Sequence, residues 1–262
     1  MLRYLRLYLY FLRFSFSKAL QFRLDFFFRV GMDAIWYGTS LAFFGILFAH
    51  TRELGGWTWD QMLLFAGGVF VSDALSMSIF ANNMWWLPFY VNRGDLDYHL
   101  VRPVSTLFMV SLREFAANSF LNLLMAIGIL AFMIARYPEP LGAGQIALYV
   151  LLLCLGVFLH YTLQMMFLIP VFWLHTAHGL REIYFSFDRI SSRPHTIFTG
   201  LIGRLLLSFL PFALIVSFPT QGLFEGFKAS LVIYMVGVTG AAFVVMVAFW
   251  RLGLRAYASA SS

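Results

Sequence analysis

The residues able to do chemistry are few. Asp73 stands in Phe-Val-Ser-Asp-Ala-Leu-Ser-Met-Ser, inside an otherwise apolar run. On a helix Ser72, Asp73 and Ser76 share one side, because their spacings are three and four residues, whereas Ser78 points elsewhere. A carboxylate in an apolar helix is costly and marks a pathway or an interhelical hydrogen bond; both readings stand for this stripe. Arg29 and Asp33, four residues apart, can pair along one helix face near a span end. Arg113 and Glu114 are adjacent, point different ways and read as structural charges at the end of another span. His175, His178 and Glu182 have i, i+3, i+7 spacing, which suits either a metal ion or a solvated helix face, and the polar surroundings favour the solvated face.

Familiar catalytic machinery is missing from the sequence. A phosphate-cradling P-loop needs a glycine-rich turn followed by lysine, and the only lysines, Lys18 and Lys228, follow Ser17 and Phe227. Neither HExxH nor GxSxG occurs, so no catalytic residue is assigned. The single cysteine, Cys154, excludes an internal disulfide and a CxxC zinc site, and no metal site is assigned. If ATP drives this chain, a second polypeptide supplies the ATPase.

The elements that position these residues follow from composition. The 262 residues are 61% hydrophobic, 19% aromatic and 11% charged, where a soluble domain carries about 25% charge. Thirty charged side chains cannot dress a water-soluble surface of this size, and 31 Phe exclude disorder. An all-α polytopic membrane protein remains. Crossing about 30 Å of hydrocarbon takes about 20 apolar residues. Six stretches qualify: Phe28–Ala49, Gln61–Ala81, Thr106–Ala135, Gln145–Leu174, Ile197–Val216 and Ala229–Trp250.

With the N-terminus inside, the inner pieces carry Arg3, Arg6, Arg13, Lys18, Arg23, Arg93, Arg102, Arg181, Arg189, Arg193, Arg251 and Arg255. The outer pieces carry only Arg52, Arg136 and Lys228. This asymmetry places both termini in the cytoplasm and accounts for the net charge of +6 without a nucleic-acid partner. In residues 1–25, Arg13, Lys18 and Arg23 interrupt every apolar run, which does not suit a cleaved signal. The segment reads as an aromatic, basic helix lying on the inner membrane interface, or as an extension of the first span. Outer loops such as His50–Asp60 and Tyr137–Gly144 are too short to fold alone, so residues 1–262 read as one transmembrane domain in contact with lipid.

The inner segment 82–105 has the most readable chemistry. Gly94 can end one helix and Asp95 can cap the next. Leu96 and Leu100 would then share a face, and Pro103 limits continuation. A short capped helix across the inner surface can dock into a groove on a soluble partner, or it is an ordinary loop on the headgroups.

Gly94-Asp95-Leu96-Asp97, Leu100 and Arg102-Pro103-Val104 resemble the G-x-L-D-x-x-L-x-R-P signature of small ABC-2 type permeases, the six-span membrane subunits of ABC exporters. The basic aromatic N-terminus resembles their interfacial elbow helix. Arg193-Pro194-His195 resembles their cytoplasmic approach to span five. Pro211-Phe212-Ala213 and Ser217-Phe218-Pro219 resemble the family's two-proline segment, which forms a re-entrant hairpin at the outer face. The resemblance implies a non-enzymatic subunit of the bacterial plasma (inner) membrane. Two such subunits, identical or homologous, would form the translocation path, with spans two and five at the dimer axis. Separate ATPase subunits would carry ATP and Mg, this chain needing no cofactor. Gly94, Asp95, Leu96, Asp97, Leu100, Arg102 and Pro103 would couple to the ATPase, Ser72, Asp73 and Ser76 would line the path, and Pro211 and Pro219 would shape the re-entrant segment 211–227. Aromatic faces suit lipophilic or cationic cargo, although lipid-facing filler is the plainer use of so much Phe, and polysaccharide or lipid export stays open. The rival is an ion-coupled secondary carrier using Asp33 and Asp73.

Overall fold

The computed structural model describes residues 2–19, 23–174, 178–191, 193–197 and 211–258. These residues are almost entirely helical, and the only strand-like pairing among them is a bridge between Leu54 and Trp57 in the first outer loop. Helix α1 is Leu2–Ala19 and α2 is Arg23–His50. Helix α3, Trp59–Ser76, runs on through a π-helical segment, Met77–Ala81, and a turn, Asn82–Met84. Two short inner helices follow, α4 (Leu87–Arg93) and α5 (Asp97–Leu100), and then α6 (Thr106–Leu112) and α7 (Ala117–Arg136). Helix α8 is Ala143–Leu168, with a further turn at Val171–Leu174. Helix α9 is His178–Ser191, α10 is Ser217–Glu225 and α11 is Ala229–Ala256.

Among the described residues five helical stretches are long and apolar enough to cross a membrane: Phe27–His50, Trp59–Arg93, Ser119–Arg136, Ala143–Leu174 and Ala229–Ala256. Helix α3 is central and packs on α7 and α8, while α11 lies along α8. Apolar side chains are exposed on the outside of this bundle, as at Phe28, Met32, Phe132, Leu151 and Ile233. Inside are two apolar cores. One joins α3, α7, α8 and the 212–223 region through Phe65, Phe70, Leu130, Tyr149 and Ile215. The other, towards the inner end, gathers Met84, Leu87, Leu96, Met165, Phe172 and Trp250.

Three expectations are corrected. The third span is not continuous from Thr106 to Ala135: the chain leaves the helix between α6 and α7, at residues 113–116. An apolar run hides this break, because the groups that satisfy its backbone lie elsewhere in the sequence. Residues 178–191, expected in a polar inner loop with His178 and Glu182, form helix α9 packed on α8. Its mixed polarity hides it from a hydropathy window: Tyr184 and Asp188 meet His160 of α8, while Glu182 is exposed, as a solvated face requires. The chain beyond it does not sit on the inner face: Thr196 and Ile197 lie against Gly55, in the loop joining α2 to α3. The fifth span, Ile197–Val216, falls largely on residues 198–210, outside the described residues. Its described end, Pro211–Val216, is a 3-10 turn and irregular chain. His175 also lies outside the described residues.

Helix α1 meets the expectation of an N-terminal helix and lies along α6 and α7. Tyr4 packs edge-on against Phe108 at 4.9 Å, and Phe16 meets Phe115 and Phe120 at 5.6 and 5.7 Å.

Candidate functional site

The inner segment is a platform built on local chemistry. Pro88 stands in the first turn of α4, where its missing N–H costs nothing, and Leu87, Pro88 and Val91 are buried. Gly94 ends α4 in the left-handed conformation, φ 79°, which a side chain would strain. The chain turns there through Gly94 N–H to the Val91 carbonyl at 3.4 Å and Leu96 N–H to the Tyr90 carbonyl at 3.1 Å. The expected side-chain cap from Asp95 is not made. Its backbone carbonyl instead accepts from Tyr98 N–H at 3.2 Å, and the Gly94 carbonyl accepts from Asp97 N–H at 3.2 Å.

Leu96 and Leu100 do not share an environment. Leu96 is wholly buried, whereas Leu100 is 40% exposed beside Val101 at 81% and Tyr98 at 70%. The buried edge anchors the segment and the exposed edge is apolar. Asp97 lies next to the Tyr257 hydroxyl beyond α11; burial first, and then the Asp97 charge, push that phenol up to about 12. Arg102 and Pro103 are exposed in a tight turn closed by Val104 N–H to the Arg102 carbonyl at 2.7 Å. Ser105 then caps α6, its Oγ accepting from Phe108 N–H at 3.4 Å. His99 is buried with its ring 5.0 Å from Tyr90, and its Nδ1 has no hydrogen-bond partner among the described residues. Burial, reinforced by Arg113 and Arg102, holds its pKa below the ordinary 6.5, so the ring is neutral.

The platform is tied to the bundle at the break between α6 and α7. Asn83 grips Glu114 at both backbone groups: its Nδ2 donates to the Glu114 carbonyl at 2.6 Å, and its Oδ1 accepts from Glu114 N–H at 2.7 Å. Phe115 N–H donates to Ser15 Oγ at 3.1 Å, and Ala116 N–H donates to the Ser78 carbonyl at 3.1 Å. The Ser78 carbonyl comes from the π-helical segment, whose register leaves backbone groups for other partners. The Glu114 carboxylate accepts from Asn82 Nδ2 at 3.2 Å, so it serves the same joint. Neither Asn83 nor this joint is visible in the sequence.

The second region is a polar seam where α8, α9, α3 and α2 meet. His160 of α8 hydrogen-bonds the Tyr184 hydroxyl of α9, and its Nε2 lies 3.0 Å from Asp188 Oδ1. Tyr184 Oη also donates to Asp188 at 3.5 Å. Asp73 lies within electrostatic reach of His160, Asp188 and Asp33, and Asp33 in turn of Arg29. Of the predicted stripe, Ser72 and Ser76 are buried and Asp73 is half-buried, and the Ser72 hydroxyl has no hydrogen-bond partner among the described residues. Sequence reading missed His160, Tyr184 and Asp188. The available signal was His160 itself, the only ionisable side chain other than tyrosine and cysteine in the long apolar run of α8. Among the described residues no three His, Cys, Asp or Glu side chains are placed to hold a metal ion.

Pro211 and Pro219 lie in the buried 211–225 segment. The 211–216 stretch meets the middle of α8, where Ile215 backbone occupies the space a side chain on Gly156 would take. Gly68 of α3 admits Tyr149 and Val216 in the same way. Helix α10 then packs on α8 and α3, and its Phe224 meets Trp57, in the loop joining α2 to α3, at 5.2 Å.

Beside the seam is a cavity of about 650 Å³. Its walls are Trp36, Phe43 and Phe44 of α2 and Phe65 and Phe70 of α3, and Arg189, Arg193 and Ile197 close it. Arg189 and Arg193 therefore sit level with the middle of α2, away from the inner face where their charges were counted.

Long apolar helices with buried polar contacts between them define a polytopic helical membrane protein. Residues 34–261 match the family model described as ABC-2 family transporter protein, and the chain belongs to that family. It is an integral membrane permease of an ABC transporter rather than the ATPase, and the family implies association with ABC ATPase subunits. No curated protein and no solved structure matches the chain.

Proposed function

We propose that this chain is the translocating subunit of an ATP-driven exporter in a bacterial plasma membrane. It works as a dimer with an identical or homologous permease and is moved by separate ATPase subunits that bind ATP and Mg. Gly94–Pro103 is the coupling segment. One observation carries this reading: Tyr98, Leu100 and Val101 project from a segment whose other edge, at Leu96 and His99, is locked into the inner core. An exposed apolar face on a rigid base fits a groove on a soluble partner. Arg93, Asp95 and Arg102 at its margins would set orientation.

In the same reading both termini are cytoplasmic, α1 is the elbow helix on the inner interface, and the buried 211–227 segment is re-entrant from the outer face. Broken backbone at membrane depth is tolerated where protein buries it, as Gly156 and Gly68 do here. Leu100→Asp is expected to abolish copurification of the ATPase and export while leaving the chain folded. Undiminished copurification and export would refute the docking assignment. The secondary-carrier reading draws on the Asp33, Asp73, Asp188 and His160 seam. Uphill uptake by vesicles holding this chain without an ATPase would select it.

A further inference from the structure

We infer that the cavity between α2, α3 and α9 is a binding site for anionic amphiphiles, with the acidic group on Arg189 and Arg193 and the apolar tail along the aromatic wall. Ligand cavities run to about 300–1,000 Å³ and are mostly apolar with a few placed polar groups; this one, at about 650 Å³, fits that description.

The charge in it is of one sign. Arg189 and Arg193 both line the cavity, and among the described residues no acidic side chain does. Asp188, next to Arg189 in sequence, is turned to His160 at 3.0 Å. Among the described residues no carboxylate lies in salt-bridge range of Arg189 or Arg193. The Arg193 guanidinium lies 5.7 Å from the centre of the Phe43 ring, which orients it without neutralising it. Arginine at membrane depth is costly unless it meets an anion or water. Its planar fork matches a phosphate or carboxylate, and aromatic walls suit an acyl chain. The aromatic load of this region thus serves an anion, where composition alone suggested a cation.

The site lies apart from the coupling segment, and binding needs no ATPase, so its test can fail while the coupling reading holds. The purified full chain in nonionic detergent is titrated with phosphatidylglycerol and with phosphatidylcholine of the same acyl chains, and bound lipid is measured by native mass spectrometry. Phosphatidylglycerol is expected to bind about tenfold more tightly, the worth of one charge-assisted contact. Arg189→Gln with Arg193→Gln is expected to erase the difference, and Arg189→Lys with Arg193→Lys to keep part of it. Dodecyl phosphate is expected to compete and dodecanol not to. Competition by dodecyl phosphate marks a site open to a free amphiphile; competition by phosphatidylglycerol alone marks a site for bilayer lipid, and both support the shared chemistry. Should the glutamine pair not fold, a photoreactive benzophenone side chain in place of Thr39 reports on the wild-type arginines. Its capture of phosphatidylglycerol supports the site. Equal affinity for the two lipids, a preference that survives the glutamine pair, or capture of a second copy of the chain at Thr39 overturns it.

Discussion

The inner platform and the polar seam hold the same kinds of side chain under different rules. At the platform, ordering is local. Gly94, Leu96, Tyr98 and Val104 find hydrogen-bond partners within six residues, and only the buried edge reaches the bundle. In the seam the contacts that tie the helices together are distant. His160 meets Tyr184 and Asp188 across two helices, and the nearby chain at Ile215 presses on Gly156. A region built from near neighbours can tolerate change on its exposed edge, whereas one built from distant partners loses several contacts with each substitution.

Gly156→Leu is expected to have the largest effect. The Ile215 backbone cannot yield as a side-chain tip would, so overpacking should cost about 3 kcal/mol or more and leave little monodisperse protein in detergent. Near-wild-type thermal stability would show that the 211–216 segment does not press on α8. Asn83→Ala comes next, at roughly 2–4 kcal/mol, because two backbone groups of Glu114 lose their partner together. Asn83→Asp should retain the bond from Glu114 N–H and so fall between wild type and alanine. His160→Leu removes the partner of Asp188 and should cost about 2 kcal/mol, while Leu100→Ala on the exposed face stays within about 0.5 kcal/mol. Equal losses for these two, read from thermal unfolding, would erase the contrast.

The smallest effect is a pH dependence confined to the platform. The pKa of folded His99 lies below its unfolded value of 6.5, so the unfolded chain binds more protons. The stabilisation is complete above that value and is lost as pH falls through it towards the folded pKa. Protection from hydrogen exchange at 95–101, corrected for the intrinsic pH dependence of the exchange rate, is expected to fall as pH drops below 6.5, and His99→Gln to flatten that response. An unchanged slope in the variant would assign the dependence to another group.

What was legible in the sequence follows the same division. The apolar helices announce themselves by length, and the turn at Gly94 by residue type. Helix α9 was illegible because it alternates polar and apolar residues whose partners come from α8 and the 212–214 turn. The break before α7 was illegible because Asn83, Ser15 and Ser78, which satisfy it, lie up to a hundred residues away. Asp95 shows the limit even locally, since a residue suited to capping left that work to backbone carbonyls.

Asn83 has a mechanical consequence. A single carboxamide rivets the foot of one membrane-crossing rod to the foot of the next, with both of its atoms engaged. Torque delivered at the water-facing rim then finds no slack in that hinge, and the two rods must swing as one lever.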